Sequence, residues 1–463
     1  MIGTQRIAMA AAAALALASF AQAAPPAPPP AAMTTTGPEA AWVDPRTGHR
    51  LMRVLDEPGA TALYFNEQAY TPQGDIMLLR SDRGIFAVDL KTWRPRLLVP
   101  GAGLQLLFAG RKNRTAYYAV RGPAPARSGS TPSGPAGKDG DTRPMQVWVA
   151  DVDSGKTRRI AEVAGGSIAA LNADETLLAG VSAERAMPLQ PGAPGRDSRF
   201  DQAAYAATGP DGKPLTYAEA KEVRLNDRLE AKIPMEIFTI DVRTGARRTV
   251  IRSTDWLNHL LFSPTDPGLL MFCHEGPWHK VDRIWTVRTD GSDLTKIHTR
   301  TMNMEIAGHE FWAPDGKTIW YDLQTPRGEV FWLASYDLAT RQRRWYAVER
   351  NAWSVHYNIS ADQAVFAGDG GDSEMVAHAP DGKWLYLLRP RDIPDVAGIH
   401  APDAETLIKP GTFETERLAD LSRHDYRLEP NARFTPDGRW LVFRSNLEGR
   451  NAVYAVEVAK AKP

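Results

Sequence analysis

The fold is indicated most clearly by the stretch Gly308-His309-Glu310-Phe311-Trp312-Ala313-Pro314-Asp315-Gly316. A short apolar run here ends in a Pro-Asp-Gly turn, in which glycine supplies the positive φ that a tight hairpin requires. Similar turns recur at Thr71-Pro72-Gln73-Gly74, Ser263-Pro264, Ala379-Pro380-Asp381-Gly382 and Thr435-Pro436-Asp437-Gly438. Runs rich in Val, Ile, Leu, Phe, Trp and Tyr lie between the turns, and helical periodicity is almost absent. The chain is therefore predicted to be all-β and repetitive.

The repeat is about 45 residues long and carries about four strands, which is typical of a β-propeller blade. We predict a seven-bladed propeller, with blades at about 63–100, 101–162, 163–252, 253–299, 303–350, 351–410 and 426–460. Residues 44–49 resemble the end of a repeat. They are predicted to complete the last blade and so close the ring.

Three segments interrupt the repeat and are predicted to be insertions: 122–142, 188–232 and 392–421. The first is rich in Pro, Gly and Ser, and the second is expected to be helical near 217–228. Insertions of this kind lie on one face of a propeller, where they either form the rim of a binding site or remain loops.

The N-terminus has the features of a secretory signal over residues 1–23. Arg6 precedes an apolar stretch at 7–20, and Ala21-Gln22-Ala23 fits a cleavage site. A Pro/Ala-rich leader follows at 24–40, so the propeller catalytic domain is expected over 41–463. We expect the protein to be periplasmic or secreted.

The composition excludes several classes of partner. Lys+Arg and Asp+Glu are equal at 55 each, and no polybasic run occurs, so nothing favours nucleic-acid binding. Apart from the signal, no segment is predicted to cross a membrane. The single cysteine, Cys273, excludes an intrachain disulfide. The oligomeric state stays open.

Ionisable and amide side chains recur five residues before the turn marker of successive repeats. This slot holds Glu67, His259, His309, His356 and Asn431. The first strand of a blade lines the central channel, so the slot residues are predicted to converge near one end of it. Strand alternation adds Glu429 to the same face. Polar channels are common in propellers, but three histidines in register indicate a functional site.

Two strings in this region resemble the oligogalacturonate lyase family: Cys273-His274-Glu275-Gly276-Pro277 followed by Arg283-Ile284-Trp285, and His309-Glu310-Phe311-Trp312. The similarity extends over nearly the whole chain after the leader, including Leu63-Tyr64-Phe65. Members of that family are seven-bladed propellers that cleave pectic oligogalacturonides by β-elimination. The resemblance implies that His309 is the general base and that Arg283 assists at the substrate carboxylate. It also implies that His356 ligates a divalent metal, generally manganese.

The rest of the implied metal site departs from the family pattern. Where the family has a Gln and two His before its final Phe-Thr-Pro turn, this chain has Tyr426, Glu429 and Asn431. We expect His356, Glu429 and Asn431 to hold Mn²⁺, or alternatively Ca²⁺, because oxygen ligands suit these ions. The candidate substrate-binding residues are Glu67, His259, His274, His424 and Tyr426.

The chemistry implied by the resemblance makes definite demands on the site. β-Elimination from a 4-linked uronoside removes the C5 proton and expels the C4 oxygen. That proton is a poor acid beside a charged carboxylate, so a cation must offset the charge and a neutral histidine must accept the proton. The proton donor to the leaving oxygen stays open among water, His259, His274 and Tyr426.

Two alternatives to a pectic lyase remain at this stage. One is a lyase for another uronate glycan, with glucuronate or rhamnose-linked units, because the altered residues would face the uronate. The other is a non-catalytic periplasmic propeller that binds a partner, since Pro-Asp-Gly repeats carry no catalytic meaning by themselves.

Overall fold

The computed structural model of the protein describes residues 41–122, 143–185, 217–373 and 375–461, together with 209, 211–213 and 215. The predicted signal segment, the leader, residues 123–142 and most of 188–216 lie outside the described residues. Within the described part, no helix has the length and apolar character that a membrane crossing needs.

The described chain is almost entirely β-structure, as predicted. The N-terminal strands are β1 (Ala41–Val43) and β2 (His49–Leu55). The first three sheets contain β3 (Ile76–Ser81), β4 (Gly84–Asp89) and β5 (Arg94–Pro100); β6 (Gln105–Ala109), β7 (Thr115–Arg121), β8 (Met145–Asp151) and β9 (Thr157–Val163); and β10 (Ser167–Leu171), β11 (Leu177–Ala183), β12 (Met235–Asp241) and β13 (Arg247–Ser253). Helix α1 (Tyr217–Glu230) precedes β12, which confirms the helix expected near 217–228.

The second half of the chain continues the pattern. The strands are β14 (Trp256–Phe262), β15 (Leu269–Glu275), β16 (Ile284–Arg288) and β17 (Thr295–Lys296); β18 (Ile306–Trp312), β19 (Thr318–Gln324), β20 (Phe331–Asp337) and β21 (Arg343–Val348); β22 (Tyr357–Ile359), β23 (Phe366–Gly368), β24 (Trp384–Asp392) and β25 (Lys409–Asp420); and β26 (Arg433–Phe434), β27 (Trp440–Ser445) and β28 (Ala452–Lys460). Single 3-10 turns lie at Arg350–Ala352, Val396–Gly398 and Ala404–Thr406.

The N-terminal segment closes the last sheet, as predicted. The strand order there is β1-β2-β28-β27-β26, and β2 pairs antiparallel with β28. His49 fixes this junction, because its ring is fully buried and its Nδ1 lies 2.9 Å from the Glu457 carbonyl oxygen. Strands from the two ends of the chain thus complete one blade, which removes two free sheet edges.

The sheets form a seven-bladed propeller. The first strands of consecutive sheets lie side by side, as β3 does with β6, β10 with β14, and β22 with β26. The apolar core fills the space between neighbouring sheets, where Leu78 of β3, Ala150 of β8 and Val442 of β27 share one cluster. The first strand of each blade therefore borders the centre of the ring.

The sixth blade differs from its predicted bounds. Its fourth strand, β25, falls within the stretch 392–421 that the sequence indicated as an insertion. Residues 409–412 pair in parallel with 344–347 of β21, so the fifth and sixth blades share one eight-stranded sheet. Backbone groups that a loop would leave to solvent are thereby paired.

Candidate functional site

The slot predicted from the sequence has a distinctive backbone. His259 in β14, His309 in β18 and Asn431 just before β26 have φ values of 48°, 47° and 52°. At the two histidines the pairing register with the next strand shifts, which marks a β-bulge. A left-handed conformation costs a residue other than glycine about 1–3 kcal/mol, and such strain is concentrated at functional sites. Matched positions of different blades therefore share a backbone geometry that re-aims the side chain.

His309 is paired with a buried carboxylate. Its Nδ1 lies 2.9 Å from Oδ1 of Asp322, which is 4% exposed, whereas the His309 side chain is 32% exposed. Gly308 makes room for this pair, because a Cβ there would lie 3.1 Å from the same carboxylate oxygen. A carboxylate at Nδ1 orients the ring and favours the tautomer in which Nε2 accepts a proton.

His356 has an equivalent pair on the next blade. Its Nδ1 lies 2.8 Å from Oδ2 of Asp369, and its backbone N–H donates to Oδ1 of the same residue at 2.8 Å. Burial opposes protonation of this histidine, but Asp369 and Glu429 outweigh it and raise the pKa of His356. The His309 and His356 ring centroids are 4.9 Å apart. Two histidine–aspartate pairs thus stand side by side.

A sequence signal for both pairs exists that the sequence analysis missed. Asp322 follows His309 by 13 residues, and Asp369 follows His356 by 13 residues. The hairpin between the first and second strands of a blade brings these positions together. At the corresponding position after His259, the third histidine of the slot, stands Phe272, so this spacing signal applies to His309 and His356.

Arg283 forms a buried ion pair next to the histidines. Its Nε donates to Oε2 of Glu310 at 3.0 Å, and the two residues are 7% and 1% exposed. Burial opposes the charge on Glu310, but Arg283 and His259 outweigh it and lower the pKa of that carboxyl. Glu310 adjoins His309 in β18. His309 and the ion-pair partner of Arg283 are therefore consecutive residues of one strand.

Tyr64 and Phe65, which precede β3 in the chain, pack against two of the slot histidines. The Tyr64 ring centroid lies 5.0 Å from that of His356 and 6.0 Å from that of His259. Phe65 packs on His356 at 4.9 Å. The sequence pattern alone did not indicate a role for Tyr64 or Phe65. Burial, followed by the charge of Glu429, raises the pKa of the Tyr64 phenol well above its ordinary value.

Two slot residues brace this Tyr64-Phe65 segment. The Glu67 carboxylate accepts the Tyr64 backbone N–H at 3.0 Å, and the Asn431 amide oxygen accepts that of Phe65 at 3.4 Å. The Asn431 amide nitrogen donates to the Glu429 carbonyl at 3.2 Å. Arg433, which the sequence analysis also missed, binds the carbonyls of Leu63, Tyr64 and Glu67.

His259 and His274 belong to different faces of the fourth blade. Donor atoms of His259, Cys273 and Glu275 lie within 4.8 Å of one another, the one such cluster of three or more His, Cys, Asp or Glu found among the described residues. Alternation along β15 turns His274 the other way. There its Nδ1 lies 3.0 Å from Asp255 Oδ2 and its ring 5.4 Å from that of Trp285. The structure therefore does not bring His274 to the slot histidines.

His424 and Tyr426 lie behind the site and are each 1% exposed. The Tyr426 hydroxyl donates to the Asp369 carbonyl at 2.6 Å, and the rings of Tyr426 and His424 are 4.7 Å apart. His424 Nδ1 lies 2.8 Å from Ser445 Oγ. These two residues support Asp369 and the loop before β26. They do not line the space in front of His309.

The buried His424 should make folding sensitive to acid. Burial, assisted by the nearby Lys383 charge, lowers its pKa from 6.5 to about 4. An unfolded chain takes up the proton first as the pH falls, so stability is lost between pH 6.5 and about 4. At about 1.4 kcal/mol per pKa unit, the loss is about 3 kcal/mol.

The measurement is urea unfolding from pH 7 to pH 4 for the natural protein and for His424→Asn. Asparagine can keep the hydrogen bond to Ser445 but does not titrate. The free energy of unfolding of His424→Asn should therefore fall by about 3 kcal/mol less between pH 7 and pH 4 than that of the natural protein. Equal pH slopes for the two proteins would contradict this role of His424.

Comparisons with known proteins match this fold and this region of the chain. The family model described as oligogalacturonate lyase matches residues 211–462. An oligogalacturonide lyase of Pectobacterium atrosepticum is 26% identical over 233 residues, which is 48% of this chain and 55% of that protein. An oligogalacturonate lyase of Dickeya dadantii is 27% identical over 229 residues, with the same coverage. The matched part of the chain thus spans about half the length of these curated relatives.

Solved structures show the same architecture. An oligogalacturonate lyase in complex with manganese superposes with a TM-score of 0.66 at 20% identity, covering 93% of this chain and 97% of that one. An oligogalacturonate lyase from Vibrio parahaemolyticus gives 0.65 at 20% identity, covering 93% and 99%. Because the family model matches more than half of the sequence, this chain belongs to the oligogalacturonate lyase family.

Proposed function

We propose that the protein is a lyase that cleaves uronate-containing oligosaccharides, oligogalacturonides above all, by β-elimination. The observation that carries this proposal is the pairing of a partly exposed histidine, His309, with a buried carboxylate, beside a buried guanidinium. A binding scaffold gains nothing from a strained histidine held by an aspartate, whereas a proton-abstracting site needs one.

The reaction follows from the positions of these groups. His309 Nε2 takes the C5 proton, and the C5–H electron pair becomes the C4–C5 double bond. The C4–O4 bond breaks, and its electron pair leaves with O4. Arg283 supplies a fixed positive charge near the substrate carboxylate, where negative charge builds up as the proton departs. Asp322 holds the His309 ring in position for this transfer.

The departing O4 needs a proton, and Tyr64 is the donor best placed to give it. The Tyr64 ring centroid lies 5.0 Å from that of His356, which in turn lies 4.9 Å from that of His309, and the Tyr64 hydroxyl has no hydrogen-bond partner among the described residues. In galacturonate the C5–H and C4–O bonds point to opposite faces of the sugar. A base and a separate donor on two sides of the substrate suit this geometry. Because its pKa is raised, the phenol keeps its proton at working pH.

Replacing Tyr64 by phenylalanine should lower kcat by about 100-fold while KM changes little, because only the proton donor is lost. Initial rates of unsaturated-product formation measure this. Tyr70→Phe is the matched control, since the Tyr70 hydroxyl is buried without a hydrogen-bond partner. A substrate with an aryl leaving group should recover most of the rate. An unchanged kcat in Tyr64→Phe would exclude the tyrosine as donor.

A divalent ion fits beside His356. With its Nδ1 held by Asp369, neutral His356 presents Nε2 as a ligand, an arrangement common among metal-binding histidines. The Glu429 carboxylate lies near enough to act on the His356 pKa, so this place favours a cation. Asn431 is the weaker candidate ligand, because its amide is engaged with the backbone. Bound there, Mn²⁺ or Ca²⁺ would offset the charge of the substrate carboxylate.

The cluster of His259, Cys273 and Glu275 is a less favourable metal-binding site than the place beside His356. Burial raises the pKa of the Cys273 thiol well above its ordinary value, so the sulfur stays neutral. The charge of Arg283 acts on the same thiol and is itself stabilised by Glu275. We infer that this cluster positions Arg283.

The proposal includes export and leaves room for a related substrate. The secretory features of residues 1–23 support a periplasmic or secreted enzyme acting on oligosaccharides outside the cytoplasm. Glu429 and Asn431 stand where the family resemblance leads one to expect histidines. This favours, as a second candidate, a lyase for another uronate glycan, with glucuronate or rhamnose-linked units.

The test is ultraviolet absorbance of the 4,5-unsaturated product during incubation with a panel of galacturonate, glucuronate and rhamnose-linked uronate oligosaccharides. The protein is used after chelator treatment and with Mn²⁺ or Ca²⁺ restored. A rise with one glycan supports the lyase and names its substrate. No rise with any of them contradicts the lyase, and binding without turnover would then favour a non-catalytic propeller.

Elemental analysis of Glu429→Gln should show lower metal content than the natural protein, because the variant lacks a candidate carboxylate ligand.

A further inference from the structure

A cavity of about 300 Å³ lies where the first strands of the blades end in their proline turns. Pro264, Pro314 and Pro436 of these turns are part of its lining. Phe65 also lines it, and the same ring packs on His356 at 4.9 Å. The slot histidines are not among the described residues that line the cavity. The cavity is therefore distinct from the candidate active site, and Phe65 is in contact with both.

Apolar rings form much of the cavity wall. Phe262, Phe311 and Phe434 line it and are buried. The Trp312 indole lines it as well, and its N–H is already donated to the Leu261 carbonyl at 3.1 Å. The body of a ligand bound here would therefore meet ring faces and edges, which favours an aromatic group.

One wall of the cavity carries a guanidinium whose outer nitrogens are unused. Arg111 donates through Nε to the Leu171 carbonyl at 3.2 Å, and its two terminal nitrogens have neither a hydrogen bond nor an ion pair among the described residues. Glu175 acts on Arg111 electrostatically, but its carboxylate accepts the backbone N–H groups of Lys112 and Asn113. Burial lowers the pKa of Arg111 to about 10, so the group is still charged at neutral pH.

The charges on the cavity lining do not cancel. Its described residues include two arginines, Arg111 and Arg433, and one carboxylate, Glu67, which accepts the Tyr64 backbone N–H at 3.0 Å. Arg433 is buried, and its Nε has no hydrogen-bond partner among the described residues, whereas its outer nitrogens donate to backbone carbonyls such as that of Leu63. A ligand with a single negative charge would offset the remaining positive charge.

We propose that this cavity is a binding site for a small aromatic monocarboxylate. The terminal nitrogens of Arg111 present an end-on fork that matches a planar carboxylate, and the rings of Phe262, Phe311 and Trp312 enclose the aromatic body. A cavity of about 300 Å³ is at the small end of ligand sites, which suits one ring with a short acidic side chain. The inference goes beyond the proposed function and does not depend on it, because the groups assigned to proton transfer lie outside this lining.

The experiment is calorimetry on the natural protein with benzoate, phenylacetate and 3-phenylpropanoate, each compared with its neutral amide. At least one acid should bind, and its amide should bind about tenfold more weakly, the effect of losing a charged hydrogen-bond pair. Arg111→Gln should weaken binding of that acid to the level of the amide. Arg158→Gln is the matched control, because it removes the same charge from an exposed position in β9 of the same blade.

Two further variants separate the charge of Arg111 from the space of the cavity. Ala361 is an exposed residue of the lining, so Ala361→Trp should narrow the cavity and weaken binding of the acid without changing any charge. Arg111→Lys keeps the charge without the planar fork and should give an intermediate affinity. It provides the comparison if Arg111→Gln fails to fold.

Several outcomes would overturn the site. These are no binding of any of the three acids, equal affinity for an acid and its amide, or an equal loss in Arg158→Gln. Unchanged binding in Arg111→Gln or in Ala361→Trp would do the same. Inorganic phosphate or galacturonate that displaces the aromatic acid at equal concentration would show a general anion site without aromatic selectivity, which also contradicts the proposal.

Discussion

Replacing His309 by alanine is expected to slow formation of the unsaturated product by between about 100- and 10,000-fold, the usual contribution of a positioned base. The fold should survive, because the His309 side chain is about one third exposed. Asp322 is the buried carboxylate that loses its partner in this variant. Initial rates and thermal unfolding of the same preparation measure the two effects. Retention of more than about a tenth of the rate would contradict His309 as base.

A second variant separates the base from the residue that orients it. Asp322→Asn keeps the shape of the side chain but removes the charge that holds the His309 ring. It should lower kcat without changing KM. In the double variant with His309→Ala it should add little further loss, because the two residues act as one unit. Additive losses would show that Asp322 acts independently of His309.

The largest effect on stability is expected from Arg283→Met. Removing the guanidinium leaves Glu310 as an unpaired carboxylate in a site where it is 1% exposed. Breaking a buried ion pair from one side costs about 3–5 kcal/mol, and catalysis should be lost as well. Without Arg283, burial raises the pKa of Glu310 above its unfolded value, so the variant should regain stability as the pH falls. Denaturant unfolding at two pH values measures this.

The double variant Arg283→Met/Glu310→Gln is the control. It removes both charges, so most of the lost stability should return while activity stays absent. If the double variant is as unstable as the single one, the loss comes from packing and not from the stranded carboxylate. If Arg283→Met has normal stability, the pair does not contribute as described.

Much of the architecture was predictable because it depends on local pattern. Turn chemistry around Pro314-Asp315-Gly316 and its counterparts, with apolar runs between, predicts short antiparallel strands, and their period predicts blades. The slot of His259, His309 and His356 was visible for the same reason. The sixth blade was the exception, since a long polar connection before β25 hid a strand whose pairing partner lies in another blade.

The candidate site was only partly predictable. His274 was predicted to bind substrate because it lies in the His274-Glu275-Gly276-Pro277 string. Alternation along β15 instead places its side chain on the opposite face from Cys273 and Glu275. His424 and Tyr426 were predicted to bind substrate because they are close to Glu429 in sequence. In the structure both are buried behind Asp369. Nearness along a chain does not decide which face of a sheet a side chain takes, because a single extra residue reverses every side chain after it.

The sequence by itself determined the repeating strands and turns outside the sixth blade, the closure of the ring by the N-terminal segment and the set of slot histidines, because all of these follow from short-range pattern. The tertiary structure alone decided what surrounds those histidines. It brought Tyr64 from the first blade to His356 of the sixth, and it placed Arg283 against Glu310 across two blades. The physical reason is that a propeller bends the chain into a ring, so residues hundreds of positions apart meet at its centre.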